Sequence, residues 1–132
     1  MTHSDIDVPA EWRVQQPADQ LRSPTKCYYR TSTGTTFIVT IVPDVPDGDG
    51  YSLRLSTETP TNVRHDYLVD RYDSCRTVTS AAESFIPHLT RQIRRDELSA
   101  SDPSIDAVQR TIKSFREESV LQSLRRTIGR LL

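Results

Sequence analysis

The chain has 132 residues, of which 35% are hydrophobic and 27% charged, and its formal net charge is −1. This length fits one domain that buries roughly two thirds of the surface of its unfolded chain, so a second full domain is not expected. No apolar run approaches the roughly 18 residues that span a bilayer, and the start at Met1 shows neither a basic nor an apolar targeting region. We therefore expect a cytoplasmic protein with no membrane span.

The first two thirds of the chain predict a small, mostly antiparallel sheet of four or five strands. Residues 36–42 are apolar on both alternating faces, which is typical of a central strand, and a turn at Thr33-Gly34 joins them to the preceding strand. Residues 63–72 alternate more weakly and predict an edge strand. The remaining strands are predicted over residues 11–15, 26–33 and 51–56.

A first helix is predicted after the sheet, over residues 80–98, to cover one of its faces. Ser80 and Glu83 have the spacing of a capping box, and apolar residues follow at helical spacing. Pro87 allows a second interpretation, in which the helix begins at Ser84 so that the proline lies in the first turn. The sequence leaves both starts open, and His88 is expected on the surface of this helix.

A second helix is predicted to begin with Asp102 as N-cap and Pro103 in the first helical position. Its apolar residues between Ile105 and Phe115 lie on roughly the opposite side of a straight helix from those that follow Ser119. The sequence therefore predicts either one helix with two apolar sides or a break near Ser119, where a second capping-box spacing favours a new helix start.

These elements predict an α+β fold with three parts. Residues 1–10 are expected to form a mobile N-terminal segment, residues 11–98 the α+β domain, and residues 99–132 a C-terminal helical extension of one or two helices.

The clearest functional signal is the apolar stripe near the C-terminus, which has arginines on its polar flank. If a separate helix begins near Ser119, it is too short to be stable alone in water. Its apolar side then needs the sheet, a second copy or another protein to pack against. We predict a non-enzymatic module for protein interaction or self-association. The predicted interaction residues are Val120, Leu121, Leu124, Ile128, Leu131, Arg126 and Arg130.

An alternative is a nucleic-acid-associated regulator that uses helical arginines, because guanidinium groups suit phosphate and Tyr28 and Tyr29 adjoin Arg30. The near-neutral net charge argues against it, so nucleic acid is not the expected partner. The charge is nevertheless uneven, since residues 1–75 hold seven basic and eleven acidic residues and residues 76–132 hold ten and seven. The arginines in question are Arg91, Arg94, Arg95, Arg125, Arg126 and Arg130.

Catalytic and metal motifs are weak. Asp47-Gly48-Asp49-Gly50 departs from the EF-hand register at both ends, and the cluster of His65, Asp66, Asp70, Asp73 and Cys75 matches no zinc spacing. No nucleophile–base pair or phosphate-binding glycine loop is present in the sequence. We expect no metal, no cofactor and no catalytic residues, and we expect Cys27 and Cys75 to be reduced, partly buried thiols.

The balance of charged residues is unusual, with fifteen arginines against two lysines and twelve aspartates against six glutamates. This composition resembles that of small haloarchaeal proteins of unknown function. The resemblance spans the whole chain without a diagnostic motif, and it implies no particular activity. The net charge of −1 departs from the strongly acidic surface that it would imply.

Overall fold

A computed structural model describes residues 6–15, 25–44 and 50–131, and it shows the α+β fold that the sequence predicts. Five strands are followed by two helices. The strands are β1 (Arg13–Gln15), β2 (Thr25–Arg30), β3 (Thr36–Asp44), β4 (Gly50–Glu58) and β5 (Arg64–Tyr72), and the helices are α1 (Cys75–Arg94) and α2 (Ile105–Leu131).

The sheet is an antiparallel meander with strand order β1-β2-β3-β4-β5, so β3 is central and β5 is an edge strand, as predicted. The turn between β2 and β3 contains Gly34, which has a φ of 97° that glycine adopts at little cost. A Cβ at this position would lie 2.9 Å from Pro60 Cγ, so the turn also needs the glycine for space. A bulge near Leu53 shifts the pairing of β4 with β5.

The core lies between one face of the sheet and α1. Phe37, Val39 and Leu53 supply fully buried side chains from the sheet, and Phe85 and Leu89 supply them from α1. Burial of this apolar surface is the main stabilising contribution to the fold. Near β1, Trp12 stacks on Tyr29 with ring centroids 5.5 Å apart, and its Nε1 donates to Thr90 Oγ1 at 3.0 Å.

The helix α1 begins earlier than either predicted start. Ser74 is the N-cap, and its side chain accepts a hydrogen bond from the backbone N–H of Thr77. Both predicted starts, at Ser80 and Ser84, are therefore wrong, and Pro87 lies inside the helix. Ser74 has no glutamate three positions later, so the capping-box pattern at Ser80 is the stronger signal in the sequence.

The helix α2 is continuous over 27 residues, so of the two predicted alternatives the unbroken helix is correct and the break near Ser119 is wrong. The Ser119 hydroxyl donates back to the carbonyl of Phe115 at 3.0 Å instead of capping a new helix. The start also differs from the prediction, because the side chain of Ser104, and not of Asp102, accepts from the backbone N–H of Ala107.

Residues 6 and 7, which belong to the segment expected to be mobile, contact the domain. Ile6 is buried in the core, and the backbone N–H of Asp7 donates to Glu83 Oε2 at 2.7 Å. Residues 1–5 lie outside the described part of the chain.

Across the described ranges, no helix has the length and apolar character needed to cross a membrane.

Candidate functional site

The predicted interaction residues lie on the second half of α2, beyond its contacts with the domain. In the first half, Val108, Ile112 and Phe115 are buried in the core. We call the apolar residues of the second half the α2 stripe, which comprises Val120, Leu121, Leu124, Ile128 and Leu131. The first four are exposed by 59%, 52%, 52% and 54%, respectively, whereas the side chains of Leu131, Arg126 and Arg130 lie outside the described ones.

Three contacts hold α2 to the domain just before the α2 stripe begins. The rings of Phe115 and Phe85 meet edge to face with centroids 5.0 Å apart. Arg116 Nε donates to the carbonyl of Val69 on β5, and Glu118 Oε2 lies 3.5 Å from His88 Nδ1. These contacts hold α2 on the domain up to Glu118, and the α2 stripe lies on the continuation of the same helix.

An open cleft of about 1050 Å³ separates this part of α2 from the outer side of α1. Val120 and Leu124 border it on α2, and Ser80, Ser84 and Arg91 border it on α1. The α1 wall is polar and the α2 wall is partly apolar. Val120 and Leu124 therefore border open space and not a packed neighbour.

His88 lies at the bottom of this region and is buried, with 3% of its surface exposed, so its predicted surface position is wrong. Its Nε2 is 2.9 Å from Ser114 Oγ and 3.3 Å from the carbonyl oxygen of Thr111. With Glu118 near Nδ1, these distances resemble a serine–histidine–carboxylate triad.

The hydrogen bonds of this group argue against nucleophile activation. The Ser114 hydroxyl donates its proton to the carbonyl of Thr111 at 2.9 Å. Nε2 of His88 also faces the carbonyl of Thr111, which only accepts, so all of these contacts are satisfied when Nε2 carries the proton, and a ring nitrogen that donates cannot also take the proton of that hydroxyl. The group joins α1 to α2. The sequence does not show this group, because it depends on the crossing of α1 with α2.

The helical arginines of the alternative prediction are dispersed. Arg94 forms an ion pair with Glu11 at 3.0 Å, Arg91 borders the cleft, and Arg95 follows the end of α1. Arg125 is exposed in the second half of α2. Tyr28 and Tyr29 are also separated, because successive residues of β2 face opposite sides of the sheet.

The other candidate residues do not converge. His65 and Asp66 are successive residues of β5 and therefore face opposite sides. Among the residues that the structure describes, no group of three or more His, Cys, Asp and Glu side chains could hold a metal ion. Residues 45–49, which contain most of the glycine-bearing acidic turn, lie outside the described ranges.

The two cysteines differ in environment. Cys27 is buried, and burial raises the pKa of its thiol to about 11. Cys75 is exposed at the start of α1, so the prediction that both thiols are partly buried is wrong for this residue.

No protein-family model, curated protein or solved structure that was compared with the chain matches it.

Proposed function

We propose that the protein is a non-enzymatic cytoplasmic module for protein interaction, and that it self-associates through the α2 stripe. One observation supports this proposal most strongly. Four apolar side chains on a single helix are each more than half exposed, directly after the point where α2 leaves the core. Soluble monomers rarely expose a contiguous apolar surface, because covering it with another apolar surface is favourable.

The spacing of the α2 stripe favours a second copy as the occupant. Val120, Leu124 and Ile128 are four residues apart and form one ridge, which can pack into the corresponding groove of an identical helix. In an antiparallel pair with its two-fold axis at Leu124, Val120 lies opposite Ile128 of the partner subunit. The ridge is therefore complementary to itself, as a two-fold symmetric interface requires.

The helix dipoles favour the same antiparallel orientation, because antiparallel packing places the negative end of each helix beside the positive end of the other.

The interface is small, and this sets the expected strength of association. Stable complexes typically bury about 800 Å² on each partner, which requires more residues than one ridge of a short helix. We therefore expect a reversible dimer whose population increases with protein concentration.

Sedimentation velocity of the full chain over a concentration series tests the proposal. Leu124→Asp places two carboxylates at the two-fold axis and should abolish the dimer. Ile105→Asp is the matched control, because Ile105 is a 46% exposed apolar residue at the other end of the same helix. The emission of Trp12, which is buried, reports whether each variant retains the folded domain.

Each outcome of this comparison decides the proposal. A dimer that is lost in Leu124→Asp and kept in Ile105→Asp supports it, provided that both variants are folded. A wild-type chain that stays monomeric up to concentrations of about a millimolar, which corresponds to only about 4 kcal/mol of binding free energy, contradicts self-association. Unfolding of Leu124→Asp would show that the α2 stripe belongs to the core, which also contradicts the proposal.

A further inference from the structure

The face of the sheet opposite α1 is not covered by any described element. Ile38 points to this face and, although it is only 6% exposed, it lies outside the core cluster to which its neighbours Phe37 and Val39 belong. The side chains on this face come from all five strands. We call it the open face. Its side chains include Arg13, Lys26, Tyr28, Arg30, Ile38, Arg54, Arg64, Asp66, Leu68 and Arg71.

Basic residues are concentrated on the open face. Six of the seven basic residues among residues 1–75 have this register, and the seventh, Arg22, lies outside the described ranges. The acids at the same register are fewer, namely Glu58, Asp66 and Asp44 at the end of β3. The chain is therefore nearly neutral as a whole while this face is basic.

The acids on the open face are already paired where the structure describes them. Arg64 lies 3.1 Å from Asp66 and 3.6 Å from Glu58. The Ser56 hydroxyl also donates to Asp66 and, with Arg64, holds the pKa of that carboxyl below its usual value. Arg54 also lowers the pKa of Asp66 through its charge, but no side-chain hydrogen bond or ion pair joins the remaining cations to another described residue. They are Arg13, Lys26, Arg30, Arg54 and Arg71.

Tyr28 lies among three of these cations. Arg13 is its direct cross-strand partner on β1, and Lys26 and Arg30 are its same-face neighbours on β2. Directly opposite residues in a sheet have Cβ atoms about 5 Å apart, and same-face neighbours along a strand are about 7 Å apart. Tyr28 also donates from its hydroxyl to Gln15 Oε1 at 2.9 Å, which anchors the ring to β1.

We propose that the open face binds single-stranded nucleic acid, with phosphates on the unpaired cations and a base stacked on Tyr28. The cations extend from β1 to β5, as a long polyanion requires, and four of the five are arginines, whose forked donors suit phosphate. A run of aspartates and glutamates would use the charges but has no aromatic ring to stack on Tyr28. The near-neutral net charge of the chain does not oppose this binding, which depends on the charge of one face.

Fluorescence anisotropy of a labelled oligothymidylate of about twenty nucleotides, titrated with the full chain, tests this proposal. The test variant is Arg13→Gln with Arg30→Gln. The control is Arg95→Gln with Arg110→Gln, which removes the same charge from exposed positions outside the sheet. Each phosphate contact contributes about 0.7 to the slope of log affinity against log salt, so the test variant should lower the slope by roughly 1.4. If the two proteins bind equally at 1 M salt, the test variant should bind roughly 25-fold more weakly than the wild type at 0.1 M salt.

A second variant separates stacking from charge. Tyr28→Leu keeps every cation, and it should weaken binding at least about fivefold while leaving the salt slope unchanged. Leu124→Asp, which removes the proposed dimer contact, should bind the oligonucleotide as a monomer. Failure of self-association is therefore distinguishable from failure of the open face.

Three results would overturn the proposal. The first is no binding at about 0.05 M salt, where phosphate contacts are strongest. The second is an equal loss in the test and control arginine pairs, which would show a response to overall charge. The third is tighter binding of polyglutamate than of oligothymidylate, which would identify the ligand of this face as an acidic protein.

Discussion

Phe85 of α1 and Phe115 of α2 meet edge to face, with ring centroids 5.0 Å apart and an interplanar angle of 68°. Among the described side chains of α2, Phe115 is the last that belongs to the core. Five residues later Val120 is 59% exposed, although the helix is uninterrupted. The same helix therefore serves the fold before Ser119 and presents a free apolar surface after it.

Phe115→Ala should destabilise the domain strongly. Phe115 is 4% exposed, and truncation of a buried phenylalanine leaves a cavity that costs about 3–5 kcal/mol. Urea unfolding followed by Trp12 fluorescence measures the loss. Leu121→Ala, measured at a concentration where the chain is monomeric, is the control and should change the free energy of unfolding by less than about 0.5 kcal/mol. Equal effects of the two variants would show that the α2 stripe is part of the core.

Thr90→Val should also destabilise the domain, by about 1–3 kcal/mol, because it leaves the buried Nε1–H of Trp12 without an acceptor. The two side chains have nearly the same shape, so packing changes little. Thr79→Val on the same helix removes a hydroxyl that has only a 4.0 Å contact with the Cys75 sulfur. This control should be near neutral in the same urea experiment. A neutral Thr90→Val would mean that the indole N–H finds another acceptor.

The two thiols should react very differently with a thiol reagent at pH 8. Cys75 is exposed, whereas Cys27 is buried and has a pKa raised to about 11, so it remains a protected thiol at this pH. Absorbance of the released chromophore should show one fast thiol per folded chain and two after unfolding in guanidinium. Cys75→Ser should remove the fast phase. Two fast thiols in the folded chain would contradict the buried position of Cys27.

The sheet could be predicted from the sequence because its signals are local. The apolar run at residues 36–42 and the turn at Gly34 place β3 at the centre without knowledge of the tertiary structure. The open face was also present in the pattern, since Lys26, Tyr28 and Arg30 alternate with core residues. Net charge counted by halves of the chain does not show it, because the basic residues of this face are separated only by strand parity.

The helix boundaries depended on competition between signals. Ser74 caps α1 without a glutamate three positions later, so the capping-box spacing of Ser80 is the stronger local signal although no helix begins there. Ser119 has the spacing of a cap but bonds to the carbonyl of Phe115, and the helix continues because its backbone hydrogen bonds are already in place. The burial of His88 could not be predicted because it depends on the crossing of α1 with α2.

Disulfide cross-linking tests the central claim of antiparallel self-association most directly. In a Cys27→Ser, Cys75→Ser background, Leu124→Cys should form a cross-linked dimer under mild oxidation, because the two-fold axis brings the two sulfurs together. Val120→Cys and Ile128→Cys should each stay monomeric alone and cross-link when mixed. Ile105→Cys gives the rate of random collision.

The predicted result is therefore a fast Leu124→Cys dimer and a fast mixed dimer of Val120→Cys with Ile128→Cys. Rapid cross-linking of Val120→Cys alone would show a parallel pair. Cross-linking of every variant at the Ile105→Cys rate would show that the α2 stripe does not bind a second copy, and either result would contradict the account.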